Sequence, residues 1–420
     1  MNLKELISPY TDIMTPYHSL RTLAAVCKAD VKATDLTMGT FSKSVSGMAP
    51  DESFALAQMR FALDLFGKTA AVSGYDNLLL SPLSVMLALS MTANGADGDT
   101  LTEMENVLGL PLRELNGYFA GYLNYPSMSE NCLLYLANSL WVKEGYDVKQ
   151  DFLQTNANCY GASVYSSSFD EQTAEDVNNW VKAKTDGMIE KMLDGISSDA
   201  IMYIINALAF DAKWASPYTE SDVEDGVFTA SDGAKRNVKF MYETGYCPYL
   251  EDRKATGFIK NYEGGRYAFA AILPKKGVTL KKYLNKLTAK GLYDMIRKSD
   301  SCKTVTAIPK FSYSYDAALN DVLRQLGMNS AFNAKTADFS RLGSPELHID
   351  SVLHKTFIEV NKDGTRAGAS TVVPMMLLSA PPGKEEKEKL KYVILDRPFL
   401  FMIIDREANI PVFVGTVTTP

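Results

Sequence analysis

One stretch constrains the rest of the chain: His354–Pro382, HKTFIEVNKDGTRAGASTVVPMMLLSAPP. It opens as a strand in which Thr356, Ile358 and Val360 alternate with Phe357 and Glu359. Turn chemistry at Asn361-Lys362-Asp363-Gly364 breaks that strand. A run of small or β-branched residues follows: Thr365, Ala367, Gly368, Ala369, Ser370, Thr371, Val372 and Val373. The run has too little apolar volume to anchor itself as a core strand. Its alternate residues Thr365, Ala367, Ala369 and Thr371 present a narrow face suited to a tight slot between two strands. Four bulky residues, Met375, Met376, Leu377 and Leu378, then precede Ser379-Ala380-Pro381-Pro382, which reads as extended or turned and exposed. Alone, Met375–Leu378 also fits a buried strand. The double proline and the charged run Lys384–Lys391 argue for exposure.

Length and composition set outer limits. A chain of 420 residues suggests two or three domains by size. With 50 acidic against 43 basic residues the formal charge is −7, which argues against nucleic acid or an anionic membrane surface as the main partner. No apolar run approaches the roughly 18 residues of a membrane span. Cys27, Cys132, Cys159, Cys247 and Cys302 are scattered and odd in number, without CxxC spacing. They read as buried or free thiols, not a disulfide framework or zinc site. Residues 1–20 contain Lys4 and Glu5 and lack a continuous apolar segment, so they are not a signal peptide. The chain is expected to be secreted if a signal peptide has been removed, with a cytoplasmic location left open.

Residues 1–50 read as a weakly structured leader with a short helix around Leu20–Val31. A helix follows Asp51, and a strand over Asn77–Ser84 stops at Pro82 before a helical segment at Val85–Ala93. Further helices are expected over 99–123, broken near Gly109-Leu110-Pro111, and over 150–160 and 280–296. Strands are expected at Asn131–Val142, Met202–Trp214, Val238–Tyr249, Ala268–Leu273, Val393–Leu395 and Phe399–Ile404, with Ile410–Val417 closing a hairpin. Helices dominate the first half and strands the second. That pattern is α+β.

The order of these features resembles the serpins, the family of suicide protease inhibitors. The family hinge runs roughly H-K-x-x-x-E-V-N-x-x-G-T-x-A-x-A-x-T. His354, Lys355, Glu359, Val360, Asn361, Gly364, Thr365, Ala367, Ala369 and Thr371 fall in or near it. Ser81-Pro82-x-Ser84, Trp180 with Thr185 and Gly187, Ile308-Pro309-Lys310-Phe311 and the closing Asp396-Arg397-Pro398-Phe399 are similar phrases. The resemblance covers roughly residues 51–420 and resolves the size prior to one domain. It implies a prokaryotic-type inhibitory serpin, with helices around a central, mainly antiparallel sheet, two smaller sheets and an exposed reactive-centre loop at about 362–392.

Enzymatic readings are set aside. The three histidines, His18, His348 and His354, come with no nucleophile elbow, zinc-binding His-Glu-x-x-His or phosphate loop. The resemblance assigns His354 instead to a buried polar switch, the shutter, with Ser81, Ser84 and Asn206. It assigns Trp214, Lys310 and Lys362 to the breach at the top of the sheet. No cofactor or metal is expected, and the acidic DTLTEMENVLG segment argues against heparin dependence.

The mechanism the resemblance implies is specific. Fourteen residues on from Gly364 lies Leu378–Ser379, the scissile bond, with Met375, Met376, Leu377 and Ala380 as subsite contacts. A serine protease attacks the Leu378 carbonyl and forms an acyl-enzyme. The hinge Gly364, Thr365, Arg366, Ala367, Gly368, Ala369, Ser370 and Thr371 then leads the loop into the central sheet. At about 3.3 Å per residue, the insertion carries the protease roughly 46 Å to the far pole before the ester hydrolyses. Leu378 points to elastase-, chymotrypsin- or subtilisin-like targets and away from trypsin-like ones. The implied protein is a metastable monomer capable of loop-sheet polymerisation. The alternative is a non-inhibitory serpin acting as carrier or chaperone. Two departures stand out: Lys362 and Arg366 occupy positions where the family usually carries acids, so the usual partner of Lys310 is missing.

Overall fold

The computed structural model describes residues 30–43, 45–124, 131–344, 346–365 and 390–420. The first half contains β1 (Thr34–Asp35), α1 (Glu52–Ser73), β2 (Leu79–Leu80), α2 (Pro82–Ala93), α3 (Gly98–Leu108), α4 (Leu112–Leu123), β3 (Cys132–Lys143), α5 (Gln150–Tyr160), β4 (Ser163–Ser167) and α6 (Glu171–Lys184). The strands of the second half are β5 (Met202–Lys213), β6 (Val223–Thr229), β7 (Lys235–Glu251), β8 (Ala255–Asn261), β9 (Tyr267–Pro274), β10 (Asp300–Pro309), β11 (Phe311–Ala318), β12 (Ser351–Val360), β13 (Gly364–Thr365), β14 (Lys391–Ile394), β15 (Phe399–Asp405) and β16 (Ile410–Val417). Between them lie α7 (Leu280–Leu284), α8 (Ala289–Arg297) and α9 (Asn320–Leu326).

Local chemistry explains where the site-bearing elements begin. Asp51 caps α1 by accepting from the Phe54 N–H at 2.9 Å, and Phe54, Phe61, Leu65 and Phe66 form its buried face. Helix α2 starts at Pro82, three residues earlier than the sequence pattern suggests. Ser81 is its N-cap and Pro82 takes the first helical position, where a missing N–H costs nothing. Every residue of α2 is buried, so its hydrophobicity carries no amphipathic period to mark the start. The helix expected over 280–296 is two, α7 and α8, because Thr288 caps a new N-terminus by accepting from Gly291 N–H.

A seven-stranded sheet runs in the order β1-β4-β3-β5-β13-β12-β11. A second path runs β14-β10-β7-β8-β9-β15-β16-β2, with β6 on β7. The long β7 pairs β6 and β10 along most of its length and β8 at its end, which fuses the two smaller sheets into one ladder. Helix α2 packs against β3, β5 and β16, between the two ladders. On the opposite face of the seven-stranded sheet, Val177, Trp180 and Val181 of α6 cover Ala137, Trp141, Ile205 and Ala207. The central sheet is therefore buried on both faces, and its middle strands read as nearly continuous apolar runs.

Part of the expected leader lies against this body. β1 adds to the sheet edge beside β4, and Ala33 N–H donates to Asp176 Oδ2 at 2.6 Å. Met48 N–H donates to Gly117 O at 2.8 Å. A Cβ on Gly47 would come within 2.4 Å of the Gly121 backbone, so the chain passes α4 only because glycine stands there. The short helix expected around Leu20–Val31 lies, up to residue 29, outside the described residues.

Candidate functional site

The site is a seam between β5 and β12. The two strands pair directly and in parallel over Tyr203–Leu208 and Ser351–Thr356. Above that they part, and β13 stands between them, with Gly364 opposite Lys213, and Thr365 opposite both Ala212 and Val360. The sheet is closed below and has begun to accept a new antiparallel strand at its top.

The lower seam is held by polar groups on one row. Asn138 of β3 is the register partner of Asn206 of β5, which is the register partner of His354 of β12. Ser81 N–H donates to His354 Nε2 at 3.0 Å, which fixes the proton on Nδ1, and Nδ1 faces Asn206 Oδ1. The Asn206 amide donates to Ser84 Oγ at 2.5 Å and to Asn138 Oδ1. Ser84 Oγ donates to Asn138 Oδ1 at 3.3 Å, and Ser81 Oγ to Val412 O at 2.8 Å. Ser81, Ser84, Asn206 and His354 are thus brought together as expected from the sequence. Asn138 completes the network and was missed, although an asparagine inside the apolar run Leu134–Val142 was the available signal. Every buried polar group here has a partner, which a low-dielectric interior requires.

Burial drives the His354 imidazole down from its ordinary value to about 3. An unfolded chain, with histidine near 6.5, takes up a proton that the folded chain refuses. This contribution to stability is whole above about pH 6.5 and is lost as pH falls toward 3, at about 1.4 kcal/mol per unit. Urea unfolding of the wild type should therefore lose about 2 kcal/mol more between pH 7 and pH 5 than that of His354→Gln. Equal losses in the two proteins would refute the assignment.

The upper seam is gripped by aromatic rings. Trp214 N–H donates to Asp363 O at 3.0 Å, its indole N–H to Asn361 O at 2.9 Å, and Tyr218 N–H to Lys362 O at 2.9 Å. Trp214 stacks on Tyr262 with ring centres 4.5 Å apart and 8° between planes. The Tyr262 and Thr365 hydroxyls bond at 2.5 Å. Lys260 lies under this cluster, over the Tyr218 ring at 4.4 Å, donating to Glu243 at 2.6 Å and Ser216 O at 2.9 Å. Burial pushes its ammonium down and Glu243 opposes that shift. Tyr262 and Lys260 carry no motif or period and were invisible in the sequence.

Lys362 has found acids of its own. Its ammonium lies 3.2 Å from Asp363 and 3.5 Å from Glu220, which raise its pKa in that order of strength. Lys310 sits at the sheet junction, its N–H donating to Lys239 O at 2.8 Å. Among the described residues no ion pair to Lys310 is found. Asn361 Oδ1 accepts from the N–H groups of Asp363, at 3.0 Å, and Gly364, at 3.2 Å, closing the turn that aims the chain into the seam. Gly364 is obligatory there: a Cβ would meet Ala212 O at 2.0 Å. Arg366, Ala367, Gly368, Ala369, Ser370, Thr371, Met375, Met376, Leu377, Leu378, Ser379 and Ala380 lie outside the described residues.

With this geometry, comparison with known proteins is decisive. The serpin (serine protease inhibitor) family model matches residues 56–420. The chain belongs to the serpin family. A serpin-like protein of Thermococcus kodakarensis is 33% identical over 86% of this serpin and 84% of its own length. The leukocyte elastase inhibitor of Bos taurus is 28% identical, over 88% of this chain and all of its own. Among solved structures, the thermophilic serpin tengpin in its native state is 40% identical, covering 93% of this chain and 100% of that one, at a TM-score of 0.86. Tengpin in its latent state covers 90% and 99% at 38% identity and a TM-score of 0.75. The seam of this serpin thus sits in a fold nearer the native form than the latent one. Among the described residues no helix is long and apolar enough to cross a membrane, and no cluster of three or more metal-ligating side chains occurs.

Proposed function

We propose that this serpin inhibits serine proteases as a suicide substrate, with Leu378–Ser379 as bait and targets that favour an apolar residue before the cut. The observation that carries the reading is the register of β13. Each residue after Thr365, if it continues the ladder, steps back by one along both β5 and β12. Ala367 then falls between Phe210 and Ile358, Ala369 between Leu208 and Thr356, and Thr371 between Asn206 and His354. Those six neighbours are all buried. Only small side chains fit such a row, and the sequence supplies them. The strand would run out at Met375, opposite Met202 where β5 begins, three residues before the bait. Inserting it requires the direct His354–Asn206 pairing to part, with Thr371 taking the place between them. Ser81, Ser84 and Asn138 remain to satisfy the separated groups.

The same register accounts for Arg366. If the ladder continues by one residue, Arg366 would fall between Asp211 and Glu359, in a row flanked by two carboxylates. The positive charge suits this slot, where an acid would not. Arg366→Glu should place three like charges in one row and slow insertion about fivefold, read as an increased fraction of cleaved, uncomplexed inhibitor. An unchanged or lower cleaved fraction would refute the register. Denaturing gels of this serpin mixed with an elastase-type protease test the inhibitory reading itself. We place its action as a monomer on a single protease, outside the cell or within it.

A further inference from the structure

We propose that Cys247 and Cys302 form a reversible redox pair, which a low-molecular-weight disulfide oxidises to a cystine stapling β7 to β10. The two cysteines lie far apart in sequence, which hides their relation, but they are direct register partners in the antiparallel β7–β10 ladder. Opposite residues in such a ladder share one face of the sheet. Both are free thiols and half-buried here.

The class of the pair follows from its neighbours on the ladder. Pro248 opposite Ser301 and Pro309 opposite Phe240 have no N–H to give, so they suit positions that exchange no hydrogen bonds. Lys310 N–H donates to Lys239 O at 2.8 Å, one step beyond Pro309. Bonded and non-bonded pairs alternate, so the parity makes Cys247–Cys302 a hydrogen-bonded pair, with Cα atoms about 5.5 Å apart. That distance lies at the mode for disulfides. The Cβ atoms of such a pair stand about 5.5 Å apart, wider than the 3.5–4.5 Å a disulfide prefers, so the strands must draw together to close it. A link closed under strain is readily reduced.

Access and chemistry fit the same reading. Cys247 lines an open cleft with Glu243, Gly245, Lys260, Thr304 and Thr306, which gives a small oxidant a route to the pair. Burial pushes the Cys247 thiol up, opposed by the Thr304 hydroxyl. In the first step one cysteine thiolate attacks the reagent R–S–S–R, forming a mixed disulfide and releasing R–S⁻. In the second the partner thiolate attacks the protein sulfur of that mixed disulfide, forming the Cys247–Cys302 bond and releasing a second R–S⁻. Two electrons pass from the cysteines to the reagent, and the two thiol protons end on the two released thiols. Cys132 differs: it is buried on β3, and burial pushes its thiol to about 12.

The test treats the folded, full-length protein with glutathione disulfide, alkylates the remaining thiols under denaturing conditions, and maps peptides by mass spectrometry. The expected product is a cross-linked peptide pair joining Cys247 to Cys302, two hydrogens lighter than the reduced pair, with Cys132 alkylated. Dithiothreitol added without denaturant should restore both thiols. The single variants Cys247→Ser and Cys302→Ser should each trap glutathione on the remaining cysteine. Separate glutathione caps on both cysteines of the wild type, two thiols that stay free, or a link to another cysteine would overturn the proposal. So would a Cys247–Cys302 link that resists dithiothreitol in the folded protein.

Discussion

Replacing Thr365 by Arg should turn this serpin from an inhibitor into a substrate. Thr365 is 1% exposed, wedged between Ala212 and Val360 with its hydroxyl on Tyr262. It is the first inward-facing residue of the strand that must follow. In the uncut protein an arginine there keeps the loop end out in water, so insertion has to bury the guanidinium with no carboxylate on its row, at a cost of several kcal/mol. Each 1.4 kcal/mol slows insertion about tenfold, while hydrolysis of the acyl-enzyme proceeds unchanged. The expected result is at least a tenfold fall in complex that survives denaturing electrophoresis, with cleavage still at Leu378–Ser379. Thr365→Ser keeps the size and the hydroxyl and should inhibit like the wild type. A fully active Thr365→Arg variant would show that this strand does not enter the seam.

Cutting the loop near Leu378 should raise the thermal midpoint of the protein sharply, by about 20 °C. Insertion adds a strand of about a dozen residues between β5 and β12, with new hydrogen bonds on both sides at about 1 kcal/mol each, net. A gain on the order of 10 kcal/mol shifts the midpoint of a large domain by roughly 2 °C per kcal/mol. Differential scanning calorimetry before and after limited proteolysis measures it. A midpoint that stays or falls after a single cut would mean that the loop does not insert. An intact chain should also populate this lower-energy arrangement on prolonged heating, because the seam is open at its top before any cut.

The sequence revealed the parts of this protein whose physics is local. Asp51 caps α1 through its own side chain and Gly109 ends α3 in a left-handed turn, so the start of α1 and the bounds of α3, α4 and α5 were legible to within a residue or two, while the end of α1 at Ser73 was not. Motif-bearing residues were legible too, and Ser81, Ser84, Asn206 and His354 do meet. The rest depended on partners distant in sequence. β4, β6 and β8 lacked a strong period, and β10 and β11 were recognised only as the phrase around Pro309. Asn138 became part of the shutter only through its register with Asn206. Tyr262 and Lys260 reach the breach from β8 and the turn after it, with nothing in their own neighbourhood to announce it. Lys362 looked anomalous because Glu220, which lies near it, sits more than a hundred residues earlier. Arg366 looked equally anomalous, and the proposed continuation of the β13 register would set it between Glu359 and Asp211, the latter remote in sequence.

An apolar-specific serine protease should cut this serpin once and be trapped by it. The most direct measurement mixes the full-length protein with elastase-, chymotrypsin-, subtilisin- and trypsin-type proteases, resolves the products on denaturing gels, and sequences the released C-terminal peptide by mass spectrometry. The expected result is a covalent complex with one or more of the apolar-specific enzymes, none with the trypsin type, and a released peptide beginning at Ser379. Complete turnover by every protease, with no complex at any ratio, would show that this serpin is a substrate and not an inhibitor.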